Sequence, residues 1–116
     1  MSTPLKIESR LEGKDAAVLS LAGELDVANV AQAREAALKL LAGGVKRLVV
    51  DLSNLEYIDS SGLGMLIGLH KRQKESGGTL AIAGARERVM RVLKITGLEQ
   101  ILILYDDAGA ALKEVP

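Results

Sequence analysis

Short apolar runs alternate along this chain with stretches of helical period, and no other feature narrows the possible folds as much. Leu5–Leu11 (LKIESRL) sets Leu5, Ile7 and Leu11 on one face of a strand, with Ser9 interrupting. Ala17–Leu21 is a second strand, and the link Glu12-Gly13-Lys14-Asp15 is too short for a parallel crossover, so the two form a hairpin. From Val27 the apolar positions Val27, Val30, Ala33, Ala37, Leu40 and Leu41 recur every three or four residues. That is an amphipathic helix, with Asp26 as its N-cap and Gly43-Gly44 as its stop. Arg34 falls near the apolar stripe, where its stem packs while its head reaches water.

Lys46–Leu52 (KRLVVDL) carries a continuous apolar run, the mark of a strand covered on both faces. A helix over Ser61–Ser76 follows, then a strand at Thr79–Ala83 and a helix over Arg86–Thr96 that turns Val89, Val92, Leu93 and Thr96 inward. The last strand is Ile101–Leu104, and Asp106 or Asp107 caps a short closing helix that ends at Glu114. The order β-β-α-β-α-β-α-β-α predicts one α/β domain over residues 1–116: a small mixed, mostly parallel sheet flanked by about four helices. The core is aliphatic, because there is no Phe or Trp and only Tyr57 and Tyr105 are aromatic.

Charge and composition exclude several functions. Fifteen basic residues balance fifteen acidic ones, so the cationic surplus that nucleic acid demands is missing. Without cysteine there is no disulfide, thiolate zinc site or cysteine nucleophile, which fits a cytoplasmic protein. The start MSTPLKIESR has no apolar signal region, and the apolar stretch Leu63–Leu69 is too short to span a bilayer. One histidine and carboxylates without calcium-loop spacing predict no metal and no cofactor.

The segment YIDSSGLG, Tyr57 to Gly64, places an acid and two serines before a glycine-rich apolar stretch. Three readings compete: a helix cap, a catalytic nucleophile, or a serine that another protein modifies. As a cap, Ser61 is the preferred residue, which leaves Ser60 the more exposed of the two. As a nucleophile, Ser60 lacks the glycine of the G-x-S-x-G elbow, since Ile58 stands there. It also lacks a base: His70 lies nine residues beyond Ser61, roughly 13 Å along the same helix. A dinucleotide loop fails as well, because Ile67 occupies the position of the third glycine. Gly64 and Gly68 lie on one side of the helix with Lys71 and allow a backbone to approach closely, either this chain's own or a partner's.

The stretch VVDLSNLEYIDSSGLGMLIGLHKRQKESGGTLAIAG resembles the core of a STAS domain, and more narrowly that of bacterial anti-sigma factor antagonists. GELD at Gly23–Asp26 and RVMRVLKITGLEQILILYDD fit the same family, so the resemblance runs from about Leu5 to Leu112. It implies a binding module rather than an enzyme. The unmodified protein would bind an anti-sigma factor that is also a serine kinase and so free a sigma factor. That kinase would phosphorylate Ser60, and a metal-dependent serine phosphatase would reverse the step. Asp59, Ser61, Gly62, Gly64 and the loop Gly23, Glu24, Leu25, Asp26 would line the contact surface. Two other functions are open: a STAS scaffold in a stress-signalling or transporter-associated complex, and a nucleotide-binding protein.

Overall fold

The structure is a computed structural model and describes residues 3–115; residues 1, 2 and 116 of the expected domain lie outside it. Five strands form one sheet in sequential order: β1 (Lys6–Glu12), β2 (Ala16–Leu25), β3 (Arg47–Ile58), β4 (Thr79–Ala83) and β5 (Ile103–Tyr105). β1 and β2 are the antiparallel hairpin that their short link requires, and every other pairing is parallel. Helices α1 (Val30–Ala42), α2 (Ser60–Glu75) and α3 (Glu87–Ile95) make the crossovers, and α4 (Ala108–Glu114) closes the chain.

Right-handed crossovers between successive neighbours carry their helices to the same face of a sheet. Accordingly Val30, Ala33 and Ala37 of α1, Met65, Leu66 and Leu69 of α2, and Val89 and Leu93 of α3 share one core with Leu19, Leu48, Val50 and Ile82. The alternate residues Val18, Val49, Ala81 and Ala83 point the other way and are covered by Ala111 and Val115 at the C-terminal end.

Four sequence expectations shift. First, β3 does not end at Leu52 but continues to Ile58, and β2 continues to Leu25. The pairing passes from Ser20↔Asp51 to Ala22↔Asn54, and from Gly23↔Leu55 to Glu24↔Tyr57. Each step places one extra residue on β3. The inward positions therefore become Leu52, Leu55 and Ile58, three apart, and the two-residue alternation of a strand is lost.

Second, α1 begins at Val30 rather than Val27, with Asn29 at its N-cap. Asp26 instead holds the preceding turn: its Oδ1 accepts from the Ala28 amide at 2.9 Å, and its carbonyl accepts from the Asn29 and Val30 amides. The Asn29 side chain turns back onto the strand end, bonding the Asp26 amide and the Glu24 carbonyl. Val27, expected inward, is 75% exposed. Third, α3 ends at Ile95, and Thr96 faces solvent because its hydroxyl donates to the Val92 carbonyl. Fourth, the last strand starts at Ile103, after a 3-10 turn at Leu98–Gln100.

Candidate functional site

The continuation of β2 and β3 past their sequence-predicted ends builds the site. It sets Glu24 beside Tyr57 and Leu25 beside Ile58, so the GELD segment and the start of the serine motif are neighbouring strands. The Asp59 amide then donates to the Leu25 carbonyl at 3.2 Å, the last rung before the chain turns into α2.

Asp59, not Ser61, is the N-cap of α2. Its backbone is extended, as an N-cap must be, and its Oδ1 accepts from the Gly62 amide at 3.1 Å. The choice is made by the sheet. Ile58 is held by pairing with Leu25 and the Asp59 amide by the Leu25 carbonyl, so Asp59 stays extended and Ser60 is the first residue free to turn helical. Ser60 and Ser61 thereby become the first two helical residues. Ser60 is exposed and Ser61 half-buried, the relative order expected from the sequence although the cap is a different residue.

The second oxygen of Asp59 does separate work. Its Oδ2 accepts from the Val27 amide at 3.1 Å. One carboxylate thus caps α2 and ties down the turn that leads into α1. Val27, 75% exposed in the turn that Asp59 ties down, and Tyr57, 44% exposed near the end of β3 and three residues before Ser60, are large apolar side chains. Sequence reading passed over both. Val27 fits the helical period, and Tyr57 sits in what reads as a polar loop; only the strand pairing reveals either.

The remaining contact residues divide in two. Asp26, Glu24 and Ser61 are partly exposed, and Gly64 is exposed. Leu25, Gly23 and Gly62 are buried. Leu25 cannot offer its side chain to a partner, because that side chain lies in the core beneath α2. Gly62 is small for the same reason: a Cβ there would come within 2.7 Å of Ile58 and 2.9 Å of Leu25. Gly23 has a left-handed φ of 92°, and a Cβ on it would collide with the Pro4 carbonyl oxygen. These three shape the surface from below. His70 stays on the same helix, nearly three turns beyond Ser60, and borders a groove with Lys74, Ile101 and Ile103.

Comparison with known proteins agrees with this architecture. The STAS domain family matches residues 9–111. The anti-sigma-B factor antagonist of Staphylococcus aureus (strain NCTC 8325 / PS 47) is 34% identical over 98 residues, which are 84% of this chain and 90% of that protein. Among solved structures, an anti-sigma factor antagonist from Mycobacterium paratuberculosis superposes with a TM-score of 0.84 at 26% identity, over 99% of this chain and 98% of the other. SpoIIAA in its unphosphorylated form gives a TM-score of 0.81 at 22% identity over 93% of this chain and 94% of its own, a likeness of fold. The chain belongs to the STAS domain family, with the anti-sigma factor antagonists.

Proposed function

We propose that this protein is a partner-switching antagonist: its unmodified form docks on an anti-sigma factor that is also a serine kinase, sets a sigma factor free, and is switched off when Ser60 is phosphorylated. The observation that carries this is the placement of Ser60. Its side chain stands exposed at the first residue of α2, while Asp59 before it is held by two side-chain hydrogen bonds and Gly62, two residues after it, by the core. A kinase meets a hydroxyl on a rigid mount.

Phosphorylation adds a charge of about −1.5 to −2 at neutral pH. The amides of Ser60 and Ser61 remain without a protein acceptor among the described residues, and the helix dipole favours an anion there. The fold therefore tolerates the phosphate. The interface does not, because Asp59 and Asp26 already make this end acidic and a partner fitted to a neutral hydroxyl faces like charge and desolvation. Buried charge mismatches cost about 2–5 kcal/mol at interfaces, and each 1.4 kcal/mol is about tenfold in affinity. A metal-dependent serine phosphatase would restore the binding form.

The test pairs two measurements. Incubation with the anti-sigma kinases of the source genome and ATP, followed by mass spectrometry, should place one phosphoryl group on Ser60, and Ser60→Ala should abolish it. Ser60→Asp should lower kinase affinity by roughly a hundredfold or more in calorimetry, with an unchanged circular dichroism spectrum. Modification at Ser61 alone, or unfolding of Ser60→Asp, would refute the proposal.

A further inference from the structure

A second surface lies on the helical layer and begins one turn beyond Ser60 on the same helix. Between α1 and α2 runs a groove of about 280 Å³ bordered by Arg34, Leu38, Gly64, Gly68, Leu69 and Arg72. Its accessible apolar side chain is Leu38, half-buried, with Met65 and Leu69 buried beneath it. Its charge is of one sign. Arg34 and Arg72 are exposed, and neither has a carboxylate partner among the described residues. The acids nearest in sequence do not neutralise them: Glu35 pairs with Lys39, and Glu75 makes no ion pair among the described residues. A groove with one exposed leucine between two guanidinium groups that lack carboxylate partners among the described residues is complementary to an amphipathic segment with carboxylates along its edges.

The floor of the groove adds a steric argument. A Cβ built on Gly64 or Gly68 would meet nothing within 4 Å. Both positions lie inside an α-helix, where glycine is less favourable than alanine, and nothing in this chain requires either to be bare. What their bareness does provide is close approach from outside.

We propose that this groove docks an acidic amphipathic helix of a protein partner, with its apolar edge against Leu38 and the aliphatic stems of Arg34 and Arg72, its backbone drawn close over Gly64 and Gly68, and its carboxylates paired with the two guanidinium groups. Gly64 also belongs to the surface proposed for the anti-sigma factor, whereas Arg34 and Arg72 do not, so charge reversal at the two arginines tests the groove separately from the phosphorylation switch.

The test titrates the ¹⁵N-labelled full chain with a synthetic helical peptide of roughly 18 residues, long enough to hold a helix, bearing leucines on one face and glutamates beside them. The control peptide has lysine in place of every glutamate. Amide shifts of Leu38, Gly64, Gly68 and Arg72 should move with the glutamate peptide and stay still with the lysine one. Arg34→Glu and Arg72→Glu should each weaken binding by roughly tenfold, while the same charge reversal at the exposed Arg88 of α3, outside the groove, leaves it unchanged. The double variant Gly64→Ala, Gly68→Ala should melt at a higher temperature yet bind the peptide less tightly, a combination that a purely structural role for the glycines does not produce. Equal binding of the two peptides, shifts mapping to another surface, or unaltered affinity in the glycine variant would overturn the proposal. So would a concentration-dependent dimer in sedimentation equilibrium that Arg72→Glu dissolves, since the groove would then be filled by a second copy.

Discussion

The first turn of α2 and its middle turns are both rich in glycine and small residues, but they answer to different constraints. In the first turn the cap and its glycine are both held: Asp59 bonds the amides of Gly62 and Val27, and Gly62 rests on Ile58 and Leu25 with no room for a methyl group. One turn later Gly64 and Gly68 touch nothing within 4 Å of where a Cβ would stand. The same residue type is compelled by internal packing at one place and left unexplained by it at the other. Glycine in a helix is therefore informative only once the space around its missing side chain is known.

Substitutions can break or sharpen that contrast, and their expected effects descend in size. Leu25→Ala removes the fully buried side chain beneath Gly62 and should cost about 2–5 kcal/mol in urea unfolding. Gly62→Ala forces a methyl group against the same packed pair and should cost about 1–3 kcal/mol. In the double variant the two costs should not add, because the cavity left at residue 25 admits part of the new methyl group; a double-mutant cycle reads this directly. Asp59→Ala removes the cap and should cost about 0.5–2 kcal/mol, with faster amide exchange at both Gly62 and Val27. Faster exchange at Gly62 alone would show that the carboxylate does not tie the α1 turn. At the bottom of the scale, with opposite sign, Gly64→Ala and Gly68→Ala should each stabilise by up to about 1 kcal/mol in thermal unfolding. If either destabilises as Gly62→Ala does, the two regions are not distinct.

Much of the fold was legible because burial imposes a period. The continuous apolar run in KRLVVDL marks a strand covered on both faces, and β3 is covered by helices on both. The short link after β1 dictates its antiparallel pairing. Legibility failed where the period breaks. Two bulges on β3 space Leu52, Leu55 and Ile58 by three, so SNLEYI reads as a loop although it is paired strand. Val27 fails in the opposite way: it fits the helical period by position yet precedes the helix, because Asp26 and Asn29 satisfy the backbone in a turn first.

At the site, the motif D-S-S-G supplies three side chains able to cap a helix, and local chemistry ranks them almost equally. Pairing of Ile58 with Leu25 breaks the tie in favour of Asp59. That Arg34 and Arg72 border one groove was equally illegible, because they stand on different helices, 38 residues apart in sequence, and meet only across it.

What the sequence determined by itself is the succession of elements, the aliphatic core and the presence of a serine at a helix entrance, all properties that arise between residues a few positions apart. What the tertiary structure alone decided is the register of β2 on β3, the residue that caps α2, and which glycines face the core and which face outward. Those depend on contacts between segments tens of residues apart, such as Val27 with Asp59 and Leu25 with Gly62, whose geometry is set only when the sheet has assembled.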